Sequence, residues 1–266
     1  MLGRLPLLRF MLLIVVATSL VFAGKAQASS EQVIYNFTGS SDGIVPSSGL
    51  ILDASGNLFG VTEQGGDQKC RCGVVYELTP TSNGWTQTVL HRFTGPDGAF
   101  PIGNLAMDKS GNLYGTAQEG GRHNVGVVFE LMPGTSGWQE KVLHSFTGGY
   151  DGSSPQSGVT LDGAGNVYCT ARSGGRYFIG GVAFELMPTA NGWKHNVLHS
   201  FGRQGTNPVG GLVFDQTGNL YGTTYYGGNR GSGLVFKLTH DLMHLWWNFM
   251  KHWHFPQGFP TARYAD

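Results

Sequence analysis

Four tandem copies of one unit of about 54 residues limit what this chain can fold into. The string Asp-x-x-Gly-Asn recurs at Asp53–Asn57, Asp108–Asn112, Asp162–Asn166 and Asp215–Asn219. A Gly-Gly pair follows each time, at Gly65-Gly66, Gly120-Gly121, Gly174-Gly175 and Gly227-Gly228. A run like Gly-Val-Val-Phe-Glu-Leu then starts at Gly73, Gly126, Gly181 and Gly233. The first three copies continue with Gly-Trp and a Val-Leu-His-x-Phe run ending at Phe93, Phe146 and Phe201. A fixed period of this kind means one supersecondary unit that buries its core against its neighbours.

The second copy shows the unit. Leu105–Asp108 is a short apolar strand, and Asp-Lys-Ser-Gly-Asn is a turn that Asp108 caps and Gly111 relaxes by positive φ. Leu113–Thr116 returns, Val127–Leu131 is a β-branched, partly buried strand, and Trp138–Phe146 is the fourth. Four antiparallel strands per unit of this length predict a propeller blade. The ends are out of phase. Val33–Phe37 matches the Val-Leu-His-x-Phe run alone, and the fourth copy lacks that run after Leu238. The expected fold is therefore all-β, a small β-propeller of four four-stranded blades with the N-terminal strand closing the last blade. Closure removes the exposed strand edge.

Three segments follow. Residues 1–28 read as a signal peptide, with Arg4 and Arg9, an apolar run from Met11 to Phe22, and Ala26-Gln27-Ala28 as a cleavage site. Residues 29–239 carry the repeats. Residues 240–266 diverge: Leu242, Leu245, Trp246, Phe249, Met250 and Trp253 fall on one helical face, so an amphipathic helix or an unselected tail is expected there. Removing Arg4, Arg9 and Lys25 from 17 basic residues leaves 14 against 17 acidic, a charge of −3. That near-neutral balance offers no electrostatic footprint for nucleic acid. No later apolar run reaches membrane-spanning length. Cys70 and Cys72 read as too close for an unstrained bridge, and no cofactor is expected.

Phe-Thr-Gly…Asp-Gly…Leu-Asp-x-x-Gly-Asn-Leu-Tyr-Gly-Thr…Gly-Gly…Gly-Val-Val-Phe-Glu-Leu resembles the GloVer (Gloeo/Verruco) tandem repeat of bacterial exported proteins, over about Val33 to Leu238. The resemblance implies an extracellular or cell-surface setting and no particular activity.

Two loop sets are expected to share one face. One holds Asp42, Asp97 and Asp151, each in an Asp-Gly pair with proline four residues on. The other, after the Gly-Gly pairs, varies most and holds Arg71, Arg122, His123, Arg176, Tyr177 and Arg230. Rigid scaffolds present function on variable loops, and arginine suits anionic groups. The competing expectation is that each arginine pairs with a repeat aspartate. His91, His144 and His199 share one outer-strand position, where the opening run has Tyr35, and read as packing residues rather than a metal site. No Gly-x-Ser-x-Gly elbow is present. The expected function is an exported, non-enzymatic binding or surface module with an extracellular carbohydrate or protein ligand. The alternative is a propeller-type lyase or hydrolase acting on polysaccharide or lactone.

Overall fold

The computed structural model describes residues 30–239, so the leader at 1–28 and the tail from 240 lie outside the described residues. Chain compactness separates Met1–Ile34 from Tyr35–Asp266, and the fold below belongs to the second unit. Among the described residues there is no helix, and hence none long and apolar enough to cross a membrane. The strands form four antiparallel sheets, one per repeat.

Module 1 comprises β1 (Ile44–Pro46), β2 (Ile51–Leu52), β3 (Leu58–Gln64), β4 (Val74–Thr81) and β5 (Gly84–Arg92). Module 2 repeats it with β6 (Ala99–Pro101), β7 (Ala106–Met107), β8 (Leu113–Glu119), β9 (Val127–Met132) and β10 (Gln139–Ser145). Module 3 has β11 (Thr160–Leu161), β12 (Val167–Ala171), β13 (Val182–Thr189) and β14 (Gly192–Ser200). Module 4 has β15 (Gly205–Pro208), β16 (Val213–Phe214), β17 (Leu220–Gly227) and β18 (Leu234–Leu238).

The return, third and fourth strands lie where the sequence predicts. The first strand is longer than expected and broken in two. In module 1, β1 and β2 both pair with the edge of β3 opposite β4, at Ile44↔Gln64 and Ile51↔Phe59. The break follows from proline, which donates no ladder hydrogen bond, and from crowding against the neighbouring module. A Cβ on Gly103 would stand 2.2 Å from the Ser157 carbonyl oxygen, so only glycine fits where neighbouring modules converge. The strand expected at Val33–Phe37 is not formed: no strand precedes Ile44 among the described residues, and β18 pairs only with β17.

The hydrophobic core lies at the junctions between modules rather than inside any one of them. One cluster joins Phe59, Val61 and Val75 of module 1 to Leu105, Leu113 and Phe129 of module 2, and a second joins Val128 and Phe146 to Val167 and Phe184. The phenylalanine closing each outer strand packs edge-on against the next module: Phe93 on Phe129 at 5.0 Å and Phe146 on Phe184 at 5.3 Å.

A backbone clasp repeats at the same junctions. Phe100 donates its N–H to the Cys72 carbonyl, Ser154 to that of Val125 and Asn207 to that of Gly180, at 2.8–2.9 Å. Each donor has positive φ (55°, 53° and 58°), unusual for residues as bulky as phenylalanine. The next residue is proline, whose ring lies on a glycine of the previous module: Pro101 on Gly73, Pro155 on Gly126, Pro208 on Gly181. The recurring glycine and proline are thus two halves of one intermodule contact. Val45, at φ 59°, and Pro46 repeat one half, while Ser232 and Gly233 repeat the other. These two end halves do not meet among the described residues.

Candidate functional site

The two loop sets share one face because backbone hydrogen bonds tie them together. Gly66 donates to Ser40, Gly121 to Gly95, Gly175 to Gly149 and Gly228 to Gln204. Within each variable loop the same bond recurs: Gly73 to Gly65, Gly126 to Gly120, Gly181 to Gly174 and Gly233 to Gly227. The frame is constant while the side chains it presents change.

Asp42, Asp97 and Asp151 are consumed by this frame. Asp42 accepts from the Thr38 amide and hydroxyl and from Tyr35 Oη. Asp97 accepts from the Thr94 amide and hydroxyl and lies 2.9 Å from His91 Nε2. Asp151 holds Thr147 in the same way and lies 3.1 Å from His144 Nε2. Burial favours protonation of Asp42, but these hydrogen bonds outweigh it and hold its carboxyl down at about 2. The Asp-x-x-Gly-Asn aspartates are turn caps, as the sequence predicts. Asp53, for example, accepts the amides of Ser55 and Asn57.

The aspartate–histidine pairing depends on a bulge. The outer strand skips one residue of register at Leu90, Leu143 and Leu198, as the pairs Tyr76↔Val89 and Val75↔His91 show in module 1. An extra residue bends the strand and re-aims its side chains. Four positions before each histidine stands a residue that meets the previous junction. Gln87 donates to the Asp42 carbonyl, Glu140 lies beside His91 and Asp97, and His195 stacks on His144 at 4.3 Å. Polar triads thus recur at three places: Tyr35/Asp42/Gln87, His91/Asp97/Glu140 and His144/Asp151/His195. Burial pushes the Glu140 carboxyl up to about 7, against the pull of His91 and with the charge of Asp97 adding to the rise. Burial pushes His195 down to about 4, and the neighbouring His144 adds to the fall against a pull from Asp151.

Arg71, Arg122, Arg176 and Arg230 project from the variable loops, all exposed, as are His123 and Tyr177. The expected arginine–aspartate pairs do not form. Among the described residues the aspartates instead meet histidines, His91–Asp97 and His144–Asp151, which are ion pairs only when the imidazole is protonated. The loops are fixed by backbone instead, with the Arg122 and Arg176 amides donating to Ser145 and Ser200 hydroxyls. Arg71 takes φ 54°, which folds the chain back and brings the Cα atoms of Cys70 and Cys72 to 5.1 Å. That turn brings the two sulfur atoms together as a Cys70–Cys72 pair.

The sequence places Phe178 on the variable loop with Arg176 and Tyr177, but not its exposed neighbours Tyr150 and Ile179, nor a groove. Tyr150, Phe178 and Ile179 are exposed beside Arg176 and Tyr177, with the Tyr150 and Phe178 rings 6.1 Å apart. A groove of about 950 Å³ opens between modules 3 and 4, lined by Tyr177, His199, Arg203, Gln204, Leu234 and Phe236. Here the junction loop is shorter and carries no aspartate, so His199 lacks the carboxylate that His91 and His144 have.

Two overlapping matches to the Gloeobacter/Verrucomicrobia repeat cover residues 18–183 and 139–255. No curated protein matches the chain. Among solved structures it is similar to a gluconolactonase from Xanthomonas campestris, with 14% identity, 80% of this chain and 63% of that chain covered, and a TM-score of 0.48. It is similar to a protein of unknown function from Dyadobacter fermentans, at 13% identity over 71% of this chain and 59% of that one, with a TM-score of 0.43. It also resembles an ancestral GH74 enzyme, at 14% identity over 70% of this chain and 25% of that one, with a TM-score of 0.44. The chain spans less than two thirds of each of these three proteins.

Proposed function

The chain belongs to the Gloeobacter/Verrucomicrobia repeat family, and from that premise we propose that it is an exported, non-enzymatic module that binds an acidic polysaccharide on its loop-bearing face. One observation carries the reading. The carboxylates of that face are used up inside its frame, whereas the side chains of Arg71, Arg122, Arg176 and Arg230 have no ion pair or hydrogen bond among the described residues. Guanidinium groups left free on a fixed scaffold match the spaced carboxylates of a uronate polymer. The exposed rings of Tyr150, Tyr177 and Phe178 add apolar faces beside Arg176. Export rests on the leader-like residues 1–28; the chain recovered outside the host cell should begin near Ser29.

The test is binding of polygalacturonate, with neutral dextran as control. The triple variant Arg122→Ala/Arg176→Ala/Arg230→Ala is expected to lose about tenfold or more in affinity, since hydrogen bonds to charged groups contribute roughly 1.5–3 kcal/mol each. Its melting temperature should not change, because exposed substitutions stay within about 0.5 kcal/mol. Unchanged affinity contradicts the reading. Shortening of the polymer during incubation moves the protein to the lyase or hydrolase class.

The finer architecture, a closed ring of four blades, is part of the same proposal. Tyr35 meets Asp42 as His91 meets Asp97, and Phe37 packs on Tyr76 at 5.1 Å as Phe93 packs on Phe129. The opening segment thus already makes an outer strand's contacts with module 1. In closure, Val33–Phe37 pairs with β18 and Val45 donates to Ser232.

A further inference from the structure

The three junction triads share a backbone plan and differ in chemistry. The first has one acid, and its Gln87 amide is satisfied by the Asp42 carbonyl. The third has one acid beside His144 and two imidazoles that stack on each other. The second places two carboxylates beside one imidazole, and the ligating atoms of His91, Asp97 and Glu140 lie within 4.8 Å of one another. Like charges at that spacing repel, and a half-buried position weakens the solvent screening that would relieve them. Two contacts already fix part of the set. Asp97 is held by Thr94, and His91 Nε2 points at Asp97 Oδ2 from 2.9 Å. Glu140 is different: its Oε1 is buried and has no hydrogen-bond partner. A buried carboxylate oxygen without a partner costs free energy unless a proton or a cation takes it.

We propose that His91, Asp97 and Glu140 form a binding site for a divalent first-row cation, zinc foremost, between modules 1 and 2. One imidazole nitrogen and two carboxylate oxygens make a three-ligand set with a fourth position left for water. Zinc bonds of about 2.0–2.2 Å put tetrahedral ligands roughly 3.3–3.6 Å apart. Rotation of Glu140 closes the observed spread to that size, while His91 and Asp97 are nearly there. The imidazole favours zinc over calcium, which takes six to eight oxygens. His91 and Asp97 belong to module 1 and its exit loop and Glu140 to module 2, so the ion ties two repeats together across the junction.

The experiment uses the chelator-treated mature chain titrated with zinc by calorimetry, and with cobalt as a spectroscopic stand-in. The expected result is one saturable zinc per chain, a cobalt visible band displaced by zinc, and a higher melting temperature with metal. Glu140→Gln should keep the fold, since Gln87 stands at the same place in the first junction, and should weaken zinc binding about tenfold or more, as loss of a ligating charge demands. His123→Ala, on the exposed variable loop, should bind zinc as the wild type does. No saturable binding, or equal affinity in Glu140→Gln, overturns the proposal. Should Glu140→Gln melt far below the wild type, Asp97→Glu serves as the second variant: it keeps the charge and moves the ligand, and undiminished zinc affinity there also overturns it.

Discussion

Modules 3 and 4 carry the same motifs, and their burial differs sharply. In module 3, β12 is buried along its whole length, and Val182, Ala183 and Phe184 of β13 are inaccessible. In module 4 the matching residues are Leu234, Val235 and Phe236; Val235 is 75% exposed and Phe236 only half-buried. Sequence similarity between the copies therefore does not decide which residues become core. The neighbours decide it: module 3 has a complete outer strand and a following module, and module 4 has neither among the described residues. That is the expected behaviour of a repeat array, whose stability lies largely in interfaces between units.

The largest effect that can break or sharpen this comparison comes from its two phenylalanines. Phe184→Ala removes a ring with no solvent exposure and is expected to cost about 3–5 kcal/mol in chemical denaturation. If the ring closes, Phe236→Ala should cost nearly as much, because Val33–Phe37 then covers β18. A loss only about half as large would show that module 4 stays open and that the contrast with module 3 persists in solution.

A smaller effect separates the junctions by pH. Glu140 has a folded value near 7, above its ordinary 4.5, so the folded chain holds a proton that the unfolded chain has released. Its contribution to stability is present below pH 4.5 and is lost as pH rises through 7. His195 runs the other way. Its folded value near 4 lies below 6.5, so its contribution is present above pH 6.5 and is lost as pH falls towards 4. In chelator, Glu140→Gln should gain melting temperature relative to the wild type above pH 7, and His195→Gln should gain it at about pH 5. Each gain should be roughly 2–4 °C, the shift that about 1 kcal/mol produces in a domain of this size. Parallel melting curves across the whole range would remove the distinction between the two junctions.

Much of the fold was legible because each strand is local. Alternation, the Asp-x-x-Gly-Asn turn and the Gly-Val-Val-Phe-Glu-Leu run placed the return, third and outer strands. The split inner strand was missed for a physical reason. Ala99–Pro101 and Gly205–Pro208 contain residues that disfavour strands and are held there by clasps to the previous module, which no local pattern reveals. Histidines, aspartates and arginines each stand out at their own repeat position, but His91 and Glu140 are 49 residues apart and meet only because modules 1 and 2 pack side by side. One signal was available. Tyr35, His91 and His144 each precede an aspartate by six or seven residues, and His199, which has no such aspartate, is where the groove opens.

Hydrogen exchange at β18 tests the central claim most directly. Its strand pairs on one side only, with β17, whereas β13 pairs with both β12 and β14. Ring closure predicts that amides of Leu234–Leu238 exchange as slowly as those of Val182–Leu186, and that removing Glu31–Phe37 abolishes this protection. Rapid exchange of the outward-facing β18 amides in the intact chain, unchanged by that deletion, would contradict closure and leave an open array of four modules.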